Sequence, residues 1–182
     1  MQTSSDEELV RRLMETGDSV WFDPLVQRHM TRIRRLAGCM MGNNSDVDDV
    51  TQMAFLKAYN SLGSFRGNAR FSTWLTRIAI NVVKDHLATH NRRSRLTAGL
   101  APLHEESQAA SPGVAAESRD RLREVGGALD RLSPRLRSAI VLTVMEGLSV
   151  AEVAEIEQCA TATIHWRVHQ ARKQLKTALA KQ

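Results

Sequence analysis

The clearest structural signal in the chain is the stretch Leu148-Ser-Val-Ala-Glu-Val-Ala-Glu-Ile-Glu-Gln-Cys-Ala-Thr-Ala-Thr-Ile-His-Trp-Arg-Val-His-Gln-Ala-Arg-Lys-Gln-Leu175. Ser149 and Glu152 have the spacing of a capping box, which opens a short helix. A break of polar and small residues, 158–161, follows this helix. Apolar residues then recur at helical spacing up to Leu175. The stretch therefore predicts a helix, a tight turn and a second helix.

The second helix of this motif carries side chains suited to reading DNA. With Ile164, Val168 and Ala171 facing inward, donors, aromatic rings and cations remain on or beside the outer face. Such groups contact base edges and phosphates in a major groove. The outer-face candidates are His165, Trp166, Arg167, His169, Gln170 and Arg172. Spacing alone leaves open an amphipathic helical hairpin with a solvated basic face.

Composition and charge narrow the class of protein. A chain of 182 residues suffices for one domain or two small ones. No apolar run approaches the ~20 residues that span a bilayer, and the first residues are polar and acidic, unlike a secretory signal. We therefore expect a cytoplasmic protein without membrane insertion. The net charge is +5, and from Arg119 onward 11 basic residues stand against seven acidic ones. This excess agrees with a nucleic-acid contact in the C-terminal third, although it also serves solubility.

The first 95 residues read as a series of amphipathic helices. Ser4 or Ser5 is the expected cap of the first helix, Ser45 of the third, and Ser72 opens the longest. Between the last two helices, residues 63–70 form an irregular loop. That loop carries one aromatic ring, one amide and two guanidinium groups, in Phe65, Arg66, Asn68 and Arg70. Such a set can capture a single-stranded base, and it is also common in loops without a ligand.

Three groups of residues have the chemistry of metal or redox sites. They are the acidic turn Asp46, Asp48 and Asp49, the pair His86 and His90, and the cysteines Cys39 and Cys159. The acids complement the dipole at the start of a helix. The histidines lack the glutamate that a metalloprotease helix places after its first histidine, and the cysteines form no Cys-x-x-Cys pair. We therefore predict no metal, cofactor or catalytic residue, and buried free thiols.

Helical periodicity is absent from residues 96–118, which are small, polar and interrupted by two prolines and two glycines. This composition predicts a flexible linker. Beyond it, Ser133 precedes Pro134, the arrangement of an N-cap followed by proline at the first helical position. We therefore predict an all-α protein. Two small helical domains, residues 1–95 and 119–182, are joined by the linker, and the C-terminal domain contains the helix-turn-helix.

Two parts of the chain together resemble the extracytoplasmic-function class of bacterial sigma factors, the compact members of the sigma-70 family that keep its second and fourth conserved domains. The first part contains Asp49-Val-Thr-Gln-Met-Ala-Phe-Leu-Lys-Ala-Tyr59 and Phe65-Arg-Gly-Asn-Ala-Arg-Phe-Ser-Thr-Trp-Leu-Thr-Arg-Ile-Ala79. The second contains Ala128-Leu-Asp-Arg-Leu-Ser-Pro-Arg-Leu-Arg137, Glu146-Gly-Leu-Ser149 and Val168-His-Gln-Ala-Arg-Lys173. The chain departs from the family at Met53, usually Glu, at Gln158, commonly a turn glycine, and at His165-Trp166, usually Lys or Arg followed by Ser.

The resemblance implies a protein that binds core RNA polymerase, recognises a promoter and holds the melted strand, with an anti-sigma protein as regulator and no small-molecule substrate. The residues that match the polymerase contacts are Asp49, Gln52, Met53 and Leu56. Those that match contacts to the single-stranded −10 element are Phe65, Arg66, Asn68, Arg70, Asn81 and Lys84. Those that match contacts to the duplex −35 element are Thr163, His165, Trp166, Arg167, His169, Gln170 and Arg172.

Two other functions compete with this hypothesis. A stand-alone helix-turn-helix repressor or activator predicts a dimer on a palindromic duplex, without polymerase. An enzyme would have to use His86, His90 and the acidic turn of residues 46–49, but the sequence has no nucleophile motif, glycine-rich phosphate loop or complete metal-ligand set to support it.

Overall fold

The computed structural model describes residues 4–42, 45–96 and 124–180, with the side chains of Asn91 and residues 93–96 left undescribed. In these residues every regular element is helical. The α-helices are α1 (Asp6–Thr16), α2 (Asp23–Met41), α3 (Val47–Asn60), α4 (Phe71–Leu96), α5 (residues 124–130), α6 (Pro134–Ile140), α7 (Val150–Glu157) and α8 (Thr161–Leu179). The all-α prediction is confirmed. The predicted linker lies outside the described residues except for Leu96, which still belongs to α4.

The described residues divide into two compact units, one of residues 4–37 and 45–96, the other of residues 38–42 and 124–180. In the first unit, α3 packs along α4, and α1 also contacts α4. The side chains at the centre of this unit are fully buried: Leu25, Ile33, Leu36, Phe71, Leu75, Ile80 and Val83. Each such aliphatic or aromatic side chain contributes about 1.5–3 kcal/mol through burial. This core holds the outer surface of α3 in place.

Polar contacts also tie α1 to α2 within the first unit. Asp6, in the first turn of α1, accepts a hydrogen bond from Arg28 Nη1 at 2.9 Å, and its other carboxylate oxygen lies 2.7 Å from His29 Nε2.

Ser5 caps α1, because its side chain accepts from the Glu8 amide. The N-cap of α3, in contrast, is Asp46 without a side-chain cap hydrogen bond, so the prediction of Ser45 was wrong.

In the second unit, α8 packs against both α6 and α7. The buried side chains at this junction include Leu142, Val153, Ile164 and Ala171. Helix α6 begins with Ser133 as N-cap and Pro134 at its first position, as predicted. It then widens into a π turn over Val141–Met145. None of the helices in the described part of the chain has the length and hydropathy needed to cross a bilayer.

The helix-turn-helix is confirmed by α7 and α8. The Ser149 side chain accepts from the Glu152 amide at 3.2 Å, and the Glu152 carboxylate accepts from the Ser149 amide at 2.9 Å, which completes the capping box. The turn after α7 is made by Gln158, which adopts a left-handed conformation with φ 50°. A residue with a side chain here occupies the conformation that glycine adopts most easily.

Candidate functional site

The outer surface of α3 is formed by residues at positions i, i+3, i+4 and i+7. Asp49, Gln52, Met53 and Leu56 are all exposed, while Val50 and its neighbours on the opposite face are buried. Met53 is 55% and Leu56 58% exposed. Large apolar side chains with this exposure, grouped on one helix face, are typical of a protein-binding surface. The structure thus brings together the four residues that the resemblance assigned to polymerase binding.

A cavity of about 370 Å³ lies next to this surface, between α2 and α3. Its lining is mostly apolar, and two of its residues, Gln52 and Leu56, belong to the α3 surface described above. The lining residues are Ser19, Phe22, Asp23, Val26, Met30, Gln52, Phe55, Leu56 and Tyr59. Phe22 and Tyr59 meet edge to face, with ring centroids 5.2 Å apart. Sequence reasoning missed this cavity because it arises from the packing of two helices.

In the loop before α4, polar side chains are exposed and one aromatic ring packs on other rings. Arg66, Asn68 and Arg70 are exposed, as a nucleic-acid contact requires. Phe65 is different, because its ring packs on Phe71 and Trp74, with centroids 5.9 and 5.4 Å away. Phe65 is half-buried rather than fully covered, so its contact to a base stays a prediction.

Two further residues of the predicted −10 surface lie on α4. Asn81 is exposed and Lys84 is half-buried, one turn further along the helix. Both lie beside the buried positions Val82 and Val83, as the apolar periodicity predicts. The structure thus leaves Asn81 available for an external contact and gives Lys84 partial cover.

Helix α8 presents most of its predicted DNA-reading residues to solvent. His165, Trp166, His169 and Arg172 are exposed, whereas Thr163 and Gln170 are half-buried. Trp166 is 60% exposed, the largest exposed fraction recorded for a large apolar side chain in the described residues. The inward face, with Ile164 and Ala171, is fully buried. The helix is therefore anchored on one side and open on the other.

Arg167 departs from the predicted arrangement. Its side chain is only 12% exposed, and Nη1 donates to Glu157 Oε2 at 3.3 Å. The Glu157 side chain is 8% exposed, and its other oxygen accepts from Ser138 Oγ at 2.7 Å. The expectation that Arg167 lies on or beside the outer face was wrong, because the helical spacing could not reveal the carboxylate at the end of α7.

Two of the groups with metal-binding chemistry contact one another. His86 Nε2 lies 3.1 Å from Asp46 Oδ2, and the rings of His86 and His90 are stacked with centroids 6.5 Å apart. Within residues 4–42, 45–96 and 124–180, no group of three or more His, Cys, Asp or Glu could hold a metal ion. Cys39 and Cys159 form no disulfide and are half-buried, where we expected full burial.

The chain matches two family models, one mainly in its first unit and one in its second. Residues 25–93 match the model described as Sigma-70 region 2, and residues 122–175 match Sigma-70, region 4. The first match contains the α3 surface and the loop before α4. The second contains the helix-turn-helix. Together the two matches cover most of the chain.

Curated relatives are similar over nearly their whole length. The RNA polymerase sigma-H factor of Pseudomonas aeruginosa is 37% identical, covering 96% of this chain and 93% of the relative. The ECF RNA polymerase sigma-E factor of Escherichia coli strain K12 is 36% identical, covering 93% of this chain and 91% of the relative.

Solved structures agree with these relatives. The sigma factor RpoE in complex with the anti-sigma factor NepR, from Bartonella quintana, has a TM-score of 0.72 and 25% identity, covering 87% of this chain and 96% of the other. CnrH in complex with the cytosolic domain of CnrY has a TM-score of 0.66 and 26% identity, covering 98% of this chain and 99% of the other. The chain therefore belongs to the extracytoplasmic-function class of the sigma-70 family, the factors that direct RNA polymerase at transcription initiation.

Proposed function

We propose that residues 1–95 bind core RNA polymerase and the melted −10 element, and that residues 119–182 recognise the −35 element as duplex DNA. The observation that carries this proposal is helix α8, whose buried face is anchored against α6 and α7 while its other face carries Trp166 and the exposed histidines. The protein acts in the cytoplasm as a binding factor and leaves catalysis to the polymerase.

The α3 surface is the proposed polymerase contact. Met53 and Leu56 supply apolar area, and Asp49 supplies a negative charge at its edge. An interface of this kind gains most of its affinity from a few apolar side chains that fill pockets on the partner. The cavity between α2 and α3 offers the reciprocal arrangement, because it can receive an apolar side chain of the polymerase.

The loop before α4 is the proposed contact to the single-stranded −10 element. Asn68 can hydrogen-bond a base edge, while Arg66 and Arg70 can contact phosphates or stack on a base. Phe65 has a supporting role, because its ring is already in contact with Phe71 and Trp74. Asn81 extends the same surface along α4.

An anti-sigma protein is the proposed regulator. The support is that two similar solved structures are described as a sigma factor with its anti-sigma factor and as CnrH with the cytosolic domain of CnrY. The exposed apolar residues of α3 are a surface that such a partner can cover, which would exclude the polymerase.

Co-purification with core polymerase and run-off transcription test the proposal together. The purified chain should form a complex with core enzyme and confer initiation at a restricted set of promoters. Sequencing the promoters bound in cells supplies the template. A chain that binds duplex DNA as a dimer, but never binds core polymerase, would instead be a stand-alone regulator.

A matched pair of variants tests the α3 surface. Leu56→Asp should weaken polymerase binding by about tenfold, which corresponds to ~1.4 kcal/mol. Met14→Asp, which changes a 52% exposed residue on α1, is the control and should leave binding unchanged. Equal losses in both variants would mean that the effect comes from general destabilisation.

A further inference from the structure

Three side chains from three helices meet beneath the exposed face of α8. Ser138 lies on α6, Glu157 is the last residue of α7, and Arg167 lies in the second turn of α8. One oxygen of the Glu157 carboxylate accepts a hydrogen bond from Ser138 at 2.7 Å, and the other accepts one from Arg167 at 3.3 Å. The three residues thus connect the helices that form the helix-turn-helix and its support.

The three side chains are largely buried, so breaking their hydrogen bonds is costly. Ser138 is 7% exposed, and the Glu157 and Arg167 side chains are 8% and 12% exposed. A carboxylate removed from water needs its partners, because an unpaired buried charge is far more costly than a paired one. Arg167 cannot turn outward to DNA without leaving Glu157 with one donor fewer. Its place in the site is therefore structural as long as this pair is intact.

We propose that Arg167 is a positioning residue, held by Glu157, that sets the angle between α7 and α8 and thereby aims Trp166 and His165 at the base edges. It does not touch DNA. This inference rests on the proposed function of α8 in recognising the −35 element. It reassigns Arg167 from the set of DNA contacts that sequence analysis predicted, and it adds Glu157, which sequence analysis had left out.

Substitution of the carboxylate distinguishes the two roles, because they predict opposite results. If Arg167 contacts DNA, Glu157→Gln frees a cation and binding becomes tighter or stays the same. If Arg167 is a positioning residue, Glu157→Gln and Arg167→Met each weaken binding by about five- to tenfold. The probe is a labelled duplex selected by the wild-type holoenzyme from a random pool, with a scrambled duplex for comparison.

The salt dependence of DNA binding is a second measurement. A purely structural role of Arg167 predicts that Arg167→Met leaves it unchanged. Loss of one phosphate contact lowers the slope of log Kd against log salt concentration by about one. Arg167→Met should leave this slope unchanged. Arg172→Met, which removes an exposed cation from the same helix, is the control and should lower it. A lower slope for Arg167→Met would overturn the proposal.

A double substitution keeps the test valid if the single variants fold poorly. An apolar replacement of both partners in a buried ion pair is often tolerated, whereas removal of one partner is not. The variant Glu157→Met with Arg167→Met should therefore recover most of the wild-type affinity. Persistent loss in a double variant with normal circular dichroism would assign Arg167 to the DNA. If the wild-type holoenzyme selects no duplex at all, the proposed function fails instead.

Discussion

Two arginines on α8, five positions apart, carry the same charge in different surroundings. Arg172 is exposed on the outer face, whereas Arg167 is largely covered and paired with Glu157. A charged side chain can contribute to DNA affinity only where it reaches the phosphates or the base edges. At the scale of the residue, exposure and partner therefore decide the role, and residue type alone does not.

Trp166 is the residue for which exposure leads to the clearest prediction. Trp166→Ala should weaken binding of the holoenzyme to the selected duplex by about three- to tenfold, because the indole offers a large apolar surface to a sugar or a thymine methyl group. The free energy of unfolding should change by less than about 0.5 kcal/mol, since the side chain is already 60% exposed. Fluorescence anisotropy and thermal unfolding measure the two quantities.

Leu179→Ala provides the control for this prediction. Leu179 is also an exposed apolar residue of α8, but it lies at the other end of the helix and is 39% exposed. Its substitution should leave duplex binding unchanged. Unchanged binding in Trp166→Ala as well would remove Trp166 from the recognition surface.

At the scale of the element, α7 shows how local rules set both ends of a helix. The capping box of Ser149 and Glu152 satisfies amide groups that would otherwise lack partners at the start. At the end, Gln158 takes the left-handed conformation, and its amide hydrogen bonds to the last turn. The start is favourable, but the end carries a strain that glycine would not have.

Gln158→Gly should therefore stabilise the protein. Relief of the left-handed conformation gains about 1–2 kcal/mol, and the greater freedom of glycine in the unfolded chain offsets about 0.5–1 kcal/mol of this. We expect a net gain of about 0.5–1 kcal/mol in urea unfolding. Gln174→Gly, at an exposed position inside α8, is the control and should lose about 1 kcal/mol. A loss of stability in Gln158→Gly would contradict the assignment of strain to this turn.

The distance along the chain between contacting residues explains which features the sequence could predict. The capping box depends on two residues three positions apart, and the start of α6 depends on the neighbours Ser133 and Pro134; both predictions are confirmed. The covered position of Arg167 depends on residues ten and 29 positions away. The support of Phe65 by Trp74, and the cavity beside α3, likewise depend on how separate elements pack.

At the scale of the whole molecule, acidic residues of the first unit link its stability to pH. The Arg34 guanidinium holds the pKa of Asp48 below its ordinary value of 3.8. Hydrogen bonds from Arg12 and Arg11 hold the pKa of Glu8 below 4.5. A carboxylate with a lowered pKa contributes stability above its unfolded value, and this contribution is lost as pH falls through the folded value.

The contribution of these two carboxylates to stability should therefore begin to fall as the pH drops below about 4.5, the ordinary pKa of the glutamate. The combined variant Glu8→Gln with Asp48→Asn should show a shallower decline of the melting temperature between about pH 5 and pH 2, because it lacks the two carboxylates that are protonated in this range. Because these pairs are exposed, 0.5 M salt should reduce the difference between variant and wild type. A difference that is constant from pH 7 to pH 2 would point to packing instead.

The exposure of Trp166 also makes the chain its own optical reporter. The chain has three tryptophans, and the other two, Trp21 and Trp74, are half-buried. Acrylamide should therefore quench the indole emission of α8 more strongly than that of the other two. If promoter DNA covers Trp166, acrylamide should quench its emission less after mixing. The time course of this change would then report the proposed binding of the −35 element without an attached dye.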